Sequence, residues 1–184
     1  MLLMRVVALG IAAALAGCSG GTLVNTYYYG NFEPSEPHNV GLLTSGEPVA
    51  GTRAEVPQAV LAGMQGHTAF PTTFTLLPDG GYADYRTVIM FNPPPGLASY
   101  ALCVQAPPPQ GVAPAAPTPG GRLEYSAALC RGFAVLSAAY GYMDRVPPSD
   151  PRFAEAMAEV ARNLFPPSNP EWHPSHHRHR FAAR

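Results

Sequence analysis

The chain has 184 residues and a formal net charge of −1 at pH 7, which is too close to neutral to indicate a nucleic-acid partner. All eleven basic residues are arginines, so chemistry that requires lysine, such as a Schiff base or a phosphate-loop lysine, is excluded for this chain. The 22 prolines and 18 glycines stay below the share that marks wholesale disorder, and we expect a compact domain with long irregular connections.

Residues 1–17 have the pattern of a targeting segment. A single positive charge, Arg5, precedes residues 6–16, which carry no charge. This apolar run is shorter than the roughly 20 residues that span a membrane, and it has the length of a signal-peptide core. We therefore predict that residues 1–17 are a signal peptide.

The segment closes with Leu15, Ala16, Gly17 and Cys18. These four residues resemble the lipobox of bacterial lipoproteins, in which an apolar residue and two small ones precede a cysteine. The resemblance implies that Cys18 becomes the first mature residue and is acylated, with palmitate as an expected chain. The resemblance also implies that the protein is located at the outer membrane and faces the periplasm, because Ser19 stands where inner-membrane lipoproteins commonly have aspartate. The alternative is an uncleaved anchor with a buried cysteine near the membrane.

Residues 18–184 have the length of one domain. We predict a tether at 18–50, a single globular domain at 51–167 and a His/Arg-rich tail at 168–184. Within the tether, residues 25–32 (NTYYYGNF) are too apolar for a free linker. We interpret them as an edge strand or a belt near lipid headgroups, in preference to a patch that docks on the domain or a partner.

The first elements of the domain are predicted from periodicity and turn residues. Residues 55–64 carry an apolar stripe at helical spacing and precede Gly66, which predicts a short helix. Residues 78–81 (PDGG) separate two apolar stretches, which predicts a hairpin whose second strand is central and ends at Asn92. Two further strands are predicted at 99–105 and 122–132. The proline-rich loop between them is expected to stay extended rather than pack.

Two helices are predicted to follow. Residues 132–143 (GFAVLSAAYGYM) have large apolar residues at helical spacing, and a strand is the alternative. Residues 149–167 (SDPRFAEAMAEVARNLFPP) predict the clearest helix, with Asp150 as N-cap, Pro151 at the first position, a buried apolar stripe, and Pro166 with Pro167 as its stop. Together the elements predict an α+β fold, in which a small antiparallel sheet packs against two or three helices and carries a long Pro-rich loop.

The tail contains a cluster of histidines: His173, His176, His177 and His179. Clustered imidazoles bind Zn, Cu or Ni, but Pro174 breaks a helix and three neighbouring arginines repel a cation. We expect a solvated basic tail and no cofactor. A metal site on these histidines, or contact with anionic lipid, is the alternative.

Beyond the lipobox-like segment no catalytic motif occurs: residues 22–184 have no Gly-x-Ser-x-Gly elbow, no His-Glu-x-x-His pair and no glycine-rich phosphate fingerprint. Cys103 or Cys130 could act as a nucleophile with His67 or His38 as its base. Two cysteines in an exported chain are more simply a disulfide, and we predict one between Cys103 and Cys130 that joins neighbouring strands.

The sequence is therefore compatible with three functions. The leading hypothesis is a cell-envelope lipoprotein, bound to the membrane through lipid on Cys18, with a structural or partner-binding role toward another envelope protein and no catalysis. A metal-binding lipoprotein is one alternative. A periplasmic enzyme is the other, and a deep polar pocket containing Asp84, His67 or Arg86 would favour it.

Overall fold

The computed structural model describes residues 23–28, 39–78, 80–98, 100–104, 114–115 and 122–167. In chain order the elements are β1 (Leu23–Tyr28), β2 (Asn39–Ser45), α1 (Val56–Met64), β3 (Thr73–Leu76), β4 (Tyr85–Phe91), α2 (Ala101–Val104), β5 (Leu123–Arg131), β6 (Ala134–Met143) and α3 (Pro151–Leu164). The strands form one six-stranded sheet in the order β1-β6-β5-β4-β2-β3. The predicted α+β class is confirmed. The sheet is larger than the small sheet expected, and it is mixed, because β2 runs parallel to both β3 and β4.

The sheet has two unequal faces, and α1 and α3 cover one of them, the helix face. Apolar side chains of both helices and of alternate strand positions form its core, including Ile89, Tyr125 and Phe153. Phe91 and Phe153 pack with ring centroids 5.7 Å apart, and the Ser137 hydroxyl donates to the carbonyl of Leu164 at 2.7 Å. The helices also touch closely, since a Cβ at Gly63 in α1 would lie 2.7 Å from that of Met157.

The opposite face, the α2 face, has a thinner cover. Alternate side chains of β2, β4, β5 and β6 pack there against Leu102 and Cys103 of the four-residue α2. Because side chains alternate along a strand, each residue of β1, β5 and β6 belongs to one face only. Tyr28 reaches the helix face, where its hydroxyl donates to the carbonyl of Asn163, and Tyr27 therefore lies on the α2 face.

Both clear helix predictions are confirmed. Helix α1 begins at Val56, and Gly66 follows it with a φ of 79°. Helix α3 begins at Pro151 behind Asp150, whose carboxylate accepts from the backbone N–H of Arg152 at 2.9 Å. The predicted central strand is β4, which lies between β2 and β5.

The segment predicted as a helix at 132–143 is wrong, because it forms β6. Its large residues have helical spacing, but its small residues decide the outcome. Ala138, Ala139 and Gly141 are buried in a strand that has β1 and β5 as neighbours and cover on both faces. The alternative that the sequence left open, a strand, is the correct one.

The strand predicted at 99–105 is also wrong, since residues 101–104 form α2. A single turn stabilised by the Cys103 N–H donating to the Tyr100 carbonyl places Leu102 and Cys103 over the sheet. The predicted hairpin at 78–81 does not form either. Strands β3 and β4 do not pair with each other, because β2 lies between them and pairs with both.

Two strands lie inside the range predicted as a tether, 18–50. Strand β1 is at the sheet edge, as the edge-strand interpretation of residues 25–32 expects for the residues that β1 contains. Strand β2 is a buried interior strand, because its run Val40 to Leu43 packs between β3 and β4. These parts of the range therefore belong to the folded domain.

The proline-rich loop is fixed at its described point. The backbone N–H of Ala115 donates to the carbonyl of Asn92 at 2.8 Å, just beyond the end of β4. Asn92 has a φ of 50° and donates through its side chain to the carbonyl of Glu47 at 2.8 Å. Residues 114–115 are therefore packed against the domain, in contrast to the expectation for the loop.

Candidate functional site

Two groups of predicted site residues lie outside the described residues. These are the lipidation site Cys18 and the tail histidines His173, His176, His177 and His179. Within the described ranges, no three His, Cys, Asp or Glu side chains come together in a way that could hold a metal ion. None of the helices in this part of the chain has the length and apolar character needed to cross a bilayer.

The predicted disulfide between Cys103 and Cys130 is present, with Cα atoms 5.4 Å apart. It links α2 to β5 rather than two neighbouring strands, because Cys103 belongs to a helix. Both residues are fully buried. A sulfur in a disulfide is no thiolate, so neither cysteine is available as the nucleophile that the enzyme hypothesis considered.

The other residues of the enzyme hypothesis differ in burial and in position. Arg86 is buried under the α2 face, whereas Asp84 is exposed. His67 is exposed just after α1, which packs on the opposite face of the sheet. His38 lies outside the described residues.

Arg86 is the largest polar side chain that the described part of the chain buries fully. Its Nη2 donates to the carbonyl of Cys103 at 2.8 Å, and its guanidinium lies 5.2 Å from the ring centroid of Tyr82. Among the described residues its Nε has no hydrogen-bond partner. No carboxylate in the described ranges pairs with this guanidinium, and a buried charge is costly, so its link to the α2 backbone is an important compensation. Arg86 and the disulfide thus hold α2 to the sheet at the same residue.

A groove of about 620 Å³ opens beside the end of α1 and the sheet edge at β3. Its lining includes Gln65, Thr68, Phe70 and Thr72. Gln65 connects the two elements, because its amide donates to the carbonyl of Thr72 at 2.8 Å and accepts from the N–H of Phe74 at 3.0 Å. These polar groups are used internally, which favours a structural role for them over a specific ligand site.

Most of the exposed large apolar side chains lie on the α2 face or beside it. Those in the described residues are Tyr27, Tyr82, Tyr100, Val104 and Phe133. Tyr27 lies on the α2 face of β1. Tyr100 and Val104 belong to α2 or its start, and Tyr82 packs on Arg86 below it. Phe133 lies at the turn between β5 and β6.

Two further tyrosines of the α2 face are half-buried near its β1 edge. The hydroxyl of Tyr140 donates to that of Tyr142 at 2.8 Å, and the rings pack edge to face with centroids 5.4 Å apart. Burial raises the pKa of Tyr140 well above its usual value, and the hydrogen bond to Tyr142 and the charge of Glu124 add to this. Sequence analysis missed this pair, although their spacing of two residues would place both on one face of a strand.

Known proteins resemble this chain only distantly. No family model matches the chain, and no curated protein matches it. Among solved structures, a PelC dodecamer from Paraburkholderia phytofirmans is similar at a TM-score of 0.46 and 8% sequence identity. The alignment covers 81% of this chain and 100% of that one.

Proposed function

We propose that this chain is a lipoprotein of the bacterial cell envelope, anchored by acyl chains on Cys18, with a structural or partner-binding role at the membrane surface and no catalytic one. The observation that carries the proposal is the lipobox-like sequence at 15–18, which follows a short apolar run with a single preceding charge. The outer membrane, facing the periplasm, is the location that Ser19 favours.

The disulfide supports the compartment. Disulfides form and persist in oxidising environments such as the periplasm and are rare in the cytosol. Cys103 and Cys130 are joined, so Cys18 is the one cysteine left for a lipid. An acylated cysteine with two or three chains is a far stronger anchor than a single chain, since each buried methylene contributes about 0.8 kcal/mol.

Mass spectrometry of the protein extracted from membranes tests the anchor. We expect an acylated Cys18 as the first residue, and we expect Cys18→Ser to abolish both the acylation and the cleavage that precedes it. An N-terminus elsewhere, or an unmodified Cys18 thiol, would contradict the proposal.

The location has a separate test in the residue after the anchor. Ser19→Asp is expected to shift the protein from the outer-membrane to the inner-membrane fraction of a density gradient, with Ser19→Thr as the matched control. Equal distribution of the Asp variant and the parent would remove the argument for the outer membrane while leaving the anchor in place.

A further inference from the structure

Exposed large apolar side chains lie on the α2 face of the sheet and at the β5–β6 turn beside it. Phe133 is 68% exposed and Tyr82 is 62% exposed, and Tyr27, Tyr100 and Val104 are more than half exposed. Three of these five residues are tyrosines. A tyrosine ring combines an apolar body with a polar tip, which suits a surface where apolar and aqueous environments meet.

Three of these residues lie near one another at the end of the β5–β6 hairpin. Tyr82 packs over the guanidinium of Arg86, which in turn is bonded to the residue preceding Val104. On its other side the Tyr82 hydroxyl would lie 3.7 Å from a Cβ at Gly132, the neighbour of Phe133. Tyr82 therefore bridges the end of α2 and the tip of the hairpin.

The outer surface on the opposite side of the molecule is of a different kind. The exposed positions of α3 include Arg152, Glu155 and Arg162, and Arg152 pairs with Asp150 and Asp144 at 2.8 and 3.5 Å. Charged side chains of both signs are typical of a surface that faces water. The helix face thus has a charged outer surface, whereas the exposed side chains on the α2 side are mainly aromatic, with the Asp84 carboxylate beside Tyr82.

The spacing between the anchor and the sheet is short. Four residues, 19–22, separate Cys18 from Leu23 at the start of β1. A chain advances at most about 3.3–3.6 Å per residue, so Leu23 lies within about 17 Å of Cys18. An acylated Cys18 would therefore keep β1, and with it the β1 edge of the sheet, next to the lipid headgroups.

We propose that the α2 face lies on the headgroup layer of the membrane that holds the anchor, so that the helix face points to the aqueous compartment. The inference rests on the proposed lipid anchor. The bilayer is favoured as the occupant because the short spacer brings this edge of the sheet to it. The tyrosines of the face are the residue type that concentrates at membrane interfaces.

Tryptophan reporters on the two faces test the orientation. The single native tryptophan, Trp172, is first replaced by Phe, and one reporter is then introduced as Phe133→Trp, Tyr100→Trp or, on the helix side, Glu155→Trp. Each full-length protein is extracted from membranes and reconstituted into phosphatidylethanolamine and phosphatidylglycerol vesicles that contain a headgroup-spin-labelled phospholipid. We expect the spin label to quench the emission of the reporters at 133 and 100. The emission of the reporter at 155 should stay unchanged.

The same samples separate failure of the anchor from failure of the orientation. Protein that does not float with vesicles would overturn the lipid anchor and this inference with it. Protein that floats but shows equal quenching at the three positions, or the strongest quenching at 155, would overturn the orientation alone. Floating protein with no quenching at 133 or 100 would mean that this face does not contact the headgroups, and would also overturn the orientation. Near-UV circular dichroism verifies that each variant is folded, and Tyr82→Trp replaces any reporter that is not.

Discussion

The two faces of the sheet are covered by different means. Two helices bury large apolar side chains on the helix face, and Phe91 and Phe153 or Phe74 and Phe165 meet there in ring contacts. On the α2 face a helix of four residues is linked to the sheet by a disulfide and by a hydrogen bond from Arg86, in addition to the packing of Leu102. The first cover depends on packing, and the second depends on a covalent bond. The helix face should therefore be sensitive to truncation of a buried side chain, and the α2 face to removal of the disulfide.

Truncation of a large side chain on the helix face is expected to have the largest effect. Phe153 is fully buried in α3, and Phe153→Ala should lower the free energy of unfolding by about 3–5 kcal/mol because it leaves a cavity. Urea unfolding measures the loss, and the exposed Arg162→Ala on the same helix is the control, expected within about 0.5 kcal/mol of the parent. A loss at Phe153 no greater than that of the control would show that this face does not dominate stability.

Removal of the disulfide should have the next largest effect and a different distribution. Cys103→Ala with Cys130→Ala opens a loop whose ends are 27 residues apart, for which the chain-entropy model gives about 3.5 kcal/mol. Hydrogen exchange should accelerate in all three helices because the global stability falls, and in α2 by more than in α1 and α3 because its covalent link to the sheet is lost. Acceleration spread evenly over all three helices would contradict the distinction between the two faces.

The core under the helix face also contains a hydroxyl group, that of Tyr125, whose removal should stabilise the protein. The Tyr125 hydroxyl is buried without a hydrogen-bond partner among the described residues, and Tyr125→Phe should raise the stability by about 1 kcal/mol. Burial, followed by the charge of Glu159, raises the pKa of Tyr125 far above its usual value of 10.0. The folded state therefore holds this proton more tightly than the unfolded state, and stability falls as the pH rises above about 10.

Urea unfolding across alkaline pH checks both parts of this prediction. The Phe variant should lose less stability than the parent above the usual tyrosine pKa. The exposed Tyr100→Phe serves as the control and should follow the parent. A Phe variant that is less stable than the parent at neutral pH would mean that the hydroxyl does have a partner.

The smallest expected effect concerns the start of α3. Hydrogen bonds from the side chain and backbone of Arg152 lower the pKa of Asp150. The charged carboxylate therefore adds stability above the unfolded pKa of Asp, about 3.9, and this is lost as the pH falls through the lower, folded value. Asp150→Asn keeps an N-cap acceptor but removes the charge, so its stability should fall less between neutral and acidic pH. Parallel pH profiles for the two proteins, measured by thermal unfolding, would contradict this.

Local signals in the sequence predicted the elements whose stability is local. Helix α3 has its cap, its first-turn proline and its apolar stripe within one continuous segment, and α1 likewise. The disulfide could also be predicted from the sequence, because an oxidising compartment and two cysteines besides Cys18 leave one simple pairing. The lipid anchor stays a prediction, since Cys18 lies outside the described residues.

The errors arose where distant parts of the chain decide the structure. Strand β2 lies in a stretch with the composition of a tether, and its pairing with β3 and β4 makes it a strand. For β6, the small residues that favour a close-packed helix serve equally well in a strand enclosed by two neighbours. The link between Arg86 and Cys103 connects residues 17 apart and needs α2 in place, so no spacing rule could indicate it.

The position of β1 in the sheet has a consequence for the order of folding. Leu23 pairs opposite Tyr142, and the Tyr28 hydroxyl bonds to a carbonyl 135 residues further along, in α3. Such pairing between remote segments must close very long loops before it gains any contact, and proteins rich in it fold in milliseconds to seconds rather than microseconds. Until β1 joins, β6 presents an unpaired backbone edge that another unfinished chain could occupy. Chains that are slow to add their first strand would therefore be the ones most exposed to aggregation.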